Sequence, residues 1–228
     1  MNDHHDPSPV NPLPPVVVIL FLAIAIPEAA FSLGERGLIG GSEAVGWRLA
    51  SMNTYAFSGN IFDWMVSNGR WLPEHLLRFV SYSFVHMGFT SALFAAVLLL
   101  ALGKLVGETM GQVAVLVLFF GGAAFGALVY AALLNDPTWL IGGFPAVYGL
   151  IGGYSFVMWQ SLAARGEEQL RAFSLIAILM GLQLVWGIFF DVGNGWVADL
   201  AAFVFGFVAS AILVPGGVAR VIAALRRD

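Results

Sequence analysis

No cysteine occurs in the chain, so disulfides, thiol catalysis and cysteine-ligated metals are excluded. Charge is nearly as scarce. Asp, Glu, Lys and Arg make up 11% of the 228 residues, against about 25% in soluble domains. The formal net charge of −4 offers no electrostatic footprint for nucleic acid, so no nucleic-acid partner is expected. The opening stretch, MNDHHDPSPVNPLPP, holds no Lys or Arg and so lacks the basic region of a secretory signal. It reads as a disordered cytoplasmic tail over residues 1–15. His4, His5 and Asp6 fall in it, but neighbouring histidines on a loose chain make a poor metal site. No metal and no cofactor are expected.

What is abundant is apolar surface. The chain is 59% hydrophobic with a mean hydropathy of +0.86, which places it in a bilayer as an all-α, polytopic membrane protein. A helix crossing about 30 Å of hydrocarbon needs roughly 20 apolar residues. Six stretches qualify as candidates: about 16–33, 76–102, 112–134, 145–162, 172–190 and 197–214. Pro14 and Pro15 open the first, as suits a helix start. A six-helix membrane domain over 16–214 is expected, followed by a basic cytoplasmic tail over 215–228.

Loop charge orients the spans. Lys104 follows the second, Arg165 and Arg171 follow the fourth, and Arg220, Arg226 and Arg227 close the chain. The loops 135–144 and 191–196 hold no Lys or Arg. The positive-inside rule therefore puts both termini in the cytoplasm, in an inner membrane of bacterial type. Arg36, Arg48, Arg70 and Arg78 in the long first loop argue the other way, but long loops weigh less. Reporter fusions after residues 140 and 194 should read periplasmic and one at 228 cytoplasmic. A periplasmic C-terminus would overturn the six-span arrangement.

The first loop, about 34–75, spreads Phe57, Ile61, Phe62, Trp64, Met65 and Trp71 among polar residues and glycines. It is too polar to span and too aromatic for a plain linker, so an interfacial segment with Trp at headgroup level is expected. Gly103, Gly107 and Gly111, then Gly122 and Gly126, then Ala202 and Gly206 repeat at four-residue spacing. That spacing lets helix backbones approach closely in lipid.

Three stretches, in order, resemble the rhomboid family of intramembrane serine proteases. SFVHMGFTSALFAAVLLLALGKLVGETMG resembles its second core helix, which usually carries two His and an Asn before a glycine-spaced turn. GGFPAVYGLIGG resembles its Gly-x-Ser-Gly turn and the helix that turn opens. VADLAAFVFGF resembles its last core helix, which usually carries the basic His. The likeness covers about residues 16–214 and implies a six-helix rhomboid-like bundle with a long first loop.

The departures fall on the chemistry that the resemblance implies. Phe144 stands at the serine's place and has no nucleophilic atom. Pro145 replaces the following glycine and removes a backbone N–H. Asp199 stands at the place of the basic His. Ser91 and Ala95 stand at the oxyanion-stabilising His and Asn. His86 and Tyr148 match the family's first His and the Tyr that packs against the catalytic His. Ser–His catalysis needs nucleophile, base and oxyanion donors within hydrogen-bond reach, and all three roles are altered together. Ser155 follows Phe144 by eleven residues, roughly 16 Å along a helix, too deep to replace it. Ser91 and His86, five apart on one helix, would point about 140° apart.

The resemblance therefore implies an inactive rhomboid-like protein that binds transmembrane helices of client or partner proteins. Phe144 should plug the nucleophile space, buried between the fourth and sixth spans with its ring stacked on Tyr148. Phe144, Tyr148, Trp186 and Asp199 should line the client groove. Two other readings stand beside it: an active rhomboid-type protease with relocated residues, and a fixed subunit of a membrane complex. Asp199 near a helix start can also be a plain helix cap. Glu28, inside the first span, is an intramembrane carboxylate. Gln183 and Trp186 on the fifth span read more readily as packing residues than as an interhelical pair.

Overall fold

The protein is an all-α membrane protein; a computed structural model describes residues 12–134, 136–189 and 193–219. In chain order the α-helices are α1 (Pro15–Glu35), α2 (Trp47–Tyr55), α3 (Gly59–Asn68), α4 (Pro73–Ser81), α5 (Phe89–Met110), α6 (Gln112–Leu133), α7 (Phe144–Arg165), α8 (Ser174–Phe189) and α9 (Trp196–Leu213). Four of them, α1, α5, α6 and α9, are long and apolar enough to cross a membrane. The 22-residue α7 is long enough but carries glycines and polar residues. The 16 described residues of α8 cover about 24 Å, short of the hydrocarbon thickness.

Local sequence explains the ends. Pro15 opens α1 and Pro145 sits in the first turn of α7, where a missing N–H leaves no bond unmade. Gly111 parts α5 from α6 at φ 89°, a value only glycine adopts readily. Gly166 ends α7 in a left-handed turn whose amides return to Ala163 and Leu162.

The expected second span, 76–102, is corrected. The chain there forms the short α4, a 3₁₀ turn (Tyr82–Phe84) and an extended stretch, and α5 begins only at Phe89. Gly88 runs fully extended at φ 176°, so the helix cannot pass through it. The span then continues to Met110, beyond the expected end.

The heart of the bundle is α6, α7 and α9, pressed together on glycine. Gly206 of α9 lies against the backbone of Gly149 on α7, Gly152 of α7 against Phe203 and Phe207 of α9, and Gly149 against Leu118 and Gly122 of α6. Gly126 faces the carbonyl of Ala198. The four-residue spacings at 122/126 and 202/206 are thus contact surfaces; Gly103 and Gly107 instead receive Val17 of α1 and Pro14, which precedes it.

The first loop is folded. Phe57 and Met65 are buried, Phe62 packs on the core and stacks edge-on with Phe79, while Trp64 and Trp71 stay exposed. Phe57 pairs with Leu140 through two backbone hydrogen bonds of 3.1 and 2.9 Å, tying the loop to the chain that enters α7. Arg78 donates to the carbonyls of Ala56 and Asn53, anchoring α4 on the end of α2. Arg48 of α2 is buried. It makes bonds of 2.8 and 2.9 Å to the two carboxylate oxygens of Glu28, reaches Glu35 and the His86 carbonyl, and lies 5.5 Å from the Phe31 ring. The hydrogen bonds it donates to Glu28 hold its guanidinium above the usual range. At the same end of the bundle, Asp136 accepts from the Thr138 amide and from Asn194, linking the α6–α7 and α8–α9 connections. Those bonds, Thr138 first, pull its carboxyl down to about 2.

Candidate functional site

The turn into α7 is the centre of the site. Gly142 has φ +104°, a left-handed value that a side chain would strain, and its amide donates to the Tyr82 carbonyl. A Cβ on Gly142 would sit 3.7 Å from the His86 ring and 3.9 Å from Ser91 Oγ. One on Gly143 would sit 3.0 Å from the Ser83 carbonyl and 3.5 Å from Ala95. The fold therefore gathers His86, Ser91 and Ala95 around residues 142–143, as their places in the sequence implied.

Their relative placement needs correcting. His86 lies in the extended stretch before α5, and Ser91 in its first turn. The two are not on one helix, so the 140° separation does not apply, and both approach Gly142. They are nonetheless not joined. The Gly143 N–H donates to His86 Nε2 at 3.1 Å, and His86 Nδ1 is buried without a hydrogen-bond partner. An Nε2 that accepts a hydrogen bond carries no proton and has its lone pair committed.

Phe144 is the first residue of α7 and packs on the core, but it is only half-buried, whereas Pro145 and Tyr148 are buried. The expected fully buried plug is not formed, and the Phe144 and Tyr148 rings do not pair among the ring contacts of the described residues. The reason is position. A helix's first residue stands at the end of the bundle, with no preceding turn to cover it. The neighbouring helix α8 is itself lightly seated. Ile176 is buried on α8, while Ile178, Leu182, Leu184 and Val185 are exposed.

Asp199 is 4% exposed in the first turn of α9. It makes no capping bond there; its Oδ2 accepts from Gln183 Nε2 of α8 at 2.8 Å. The packing reading of Gln183 gives way to an interhelical hydrogen bond. Asp199 lies within electrostatic reach of the Tyr82 and Tyr148 phenols. The Tyr82 hydroxyl is itself committed, donating to the Ala123 carbonyl at 2.9 Å. The Trp186 side chain lies outside the described residues. Ser155 is fully buried within α7 and its hydroxyl has no partner.

Sequence reasoning missed Tyr82, Gly143 as a donor to His86, and Arg48. Tyr82 sits in an aromatic-rich run and looks like core. Arg48 sits in a loop, twenty residues from the acid it meets.

A family model described as Rhomboid domain matches residues 73–216, more than half of the chain. No curated protein matches it.

Proposed function

The chain belongs to the rhomboid family, and we propose that this member binds transmembrane helices of client or partner proteins without cleaving them. The observation that carries the reading is the start of α7. Phe144 and Pro145 directly follow the turn, Gly142–Gly143, around which His86, Ser91 and Ala95 are gathered. Phe144 offers no oxygen to attack a carbonyl. Pro145 offers no N–H to an oxyanion, and the Gly143 N–H is directed at His86. Loss of one oxyanion donor alone costs about 100- to 1,000-fold in rate; loss of the nucleophile removes covalent catalysis.

The bundle suits helix binding. Of its helices α7 is polar-flecked and α8 is short over its described residues, and a short helix thins the surrounding bilayer. A client helix would approach between α5 and α8, the side on which α8 exposes Leu182, Leu184 and Val185. In this reading the protein lies in a bacterial-type inner membrane with six spans and both termini in the cytoplasm. Its partners are lipids and membrane proteins.

One observation favours a second reading, an active protease with relocated chemistry: Ser91 Oγ and the His86 ring both lie at Gly142. Activation of Ser91 would require His86 to release the Gly143 amide. A serine-directed fluorophosphonate separates the two readings. The purified protein should remain unlabelled, and a model transmembrane substrate should stay intact in its presence. Labelling and cleavage that vanish in Ser91→Ala or Ser155→Ala would establish the enzyme instead.

A further inference from the structure

Asp199 and Gln183 meet in a half-made arrangement. Gln183 turns its amide nitrogen to Asp199 Oδ2 at 2.8 Å, which aims its own Oε1 elsewhere. Asp199 Oδ1 and Gln183 Oε1 are both buried, and neither has a hydrogen-bond partner. The pair therefore holds two acceptors and is short of donors. Buried acceptors left unpaired are uncommon and costly. Two donors near this end are committed elsewhere: Tyr82 OH to Ala123, and the Gly143 N–H to His86. The acceptors also sit at a junction of two unlike helices. Asp199 is fixed in the tightly packed α9, whereas Gln183 rides on α8, whose neighbours Leu182, Leu184 and Val185 are exposed.

We infer that Asp199 and Gln183 form a recognition site for a hydrogen-bond donor, an amide or hydroxyl side chain, carried on a client's transmembrane helix at the depth of the first turn of α9. The inference rests on the client-binding reading above and adds to it the chemistry that selects the client. The incoming donor satisfies Asp199 Oδ1 or Gln183 Oε1 as α8 yields. A purely apolar helix gains only side-chain packing at the same place, because lipid is as apolar as the groove. Selection thus comes from the polar contact.

The test uses the full chain in lipid nanodiscs, with a fluorophore on Leu170→Cys, the chain having no native thiol and Leu170 being 82% exposed. The probes are synthetic Leu/Ala single-span helices, identical except for Leu or Asn at the depth of Asp199, or Asn one turn deeper. The helix with Asn at that depth should bind about 3- to 10-fold more tightly than the Leu helix. The deeper Asn should give no gain. Asp199→Leu should abolish the preference while Leu-helix binding persists. Gln183→Leu, which keeps the carboxylate, should reduce the preference and guards against a folding defect in the first variant. Equal binding of all three helices, or a preference that survives both substitutions, overturns the inference and leaves client binding standing. Binding of none overturns client binding, and this inference with it.

Discussion

Gly206→Ala is expected to destabilise the folded bundle by about 3 kcal/mol or more, at or beyond the upper end for overpacked cores. A methyl group there would run into the carbonyl and Cα of Gly149 on α7. The obstacle is backbone, so no rotamer change relieves it. Nor can α7 retreat, because Gly149 is itself pressed on Leu118 and Gly122 of α6. The displacement would pass through all three central helices and reach both ends of the candidate site, Phe144 on α7 and Asp199 on α9. Gly181→Ala on α8 is the matched control. Nothing lies within 4 Å of a Cβ at Gly181, and alanine is the better helix former by about 1 kcal/mol. The yield of monodisperse protein and the midpoint of denaturant unfolding should fall sharply for Gly206→Ala and hold or rise for Gly181→Ala. Equal behaviour of the two would mean that α7 and α9 do not touch at glycine.

Arg48→Leu should be comparably damaging, for an electrostatic reason. Glu28 is 5% exposed, and Arg48 bonds both of its carboxylate oxygens. Removing one partner of a buried ion pair typically costs about 3–5 kcal/mol, because the other charge is left without compensation. Replacing both partners by apolar residues is often close to neutral. Glu28→Leu combined with Arg48→Leu should therefore regain most of the thermal stability that Arg48→Leu loses. The Arg48–Glu35 contact contributes little to this balance, since the Glu35 side chain is 41% exposed and water screens it. If the double variant melts no higher than the single, Arg48 acts chiefly through the His86 carbonyl, 2.9 Å from its guanidinium.

The positions of α1, α6, α7 and α9 were legible in the sequence to within a few residues, because long apolar runs leave little choice in a bilayer. The break before α5 was not. Val85, Met87 and Gly88 read as apolar and small, and nothing in hydropathy separates an extended apolar stretch from a helical one. That single misreading carried the mistaken angle between Ser91 and His86. The gathering of His86, Ser91 and Ala95 at the α7 turn was legible through family resemblance, which encodes tertiary contacts that periodicity does not. The partners of charged residues were not. Arg48 meets Glu28 across twenty residues, and Gln183 meets Asp199 across sixteen. Pairing at such separations leaves no periodic trace. Phe144 was expected to be buried because its ring is large and apolar. Beside a lipid-facing rim, size and polarity no longer distinguish core from surface.

The link between Phe57 and Leu140 has a consequence for how this surface can change over generations. Both of its hydrogen bonds, and the one from Gly142 to Tyr82 beside it, run between main-chain atoms. Any residue but proline at a donor position can make them. Exposed side chains of the first loop, such as Trp64 and Trp71, are therefore free to drift while the loop stays fastened to the turn. The exposed face of the loop can diversify without the anchorage being reinvented each time.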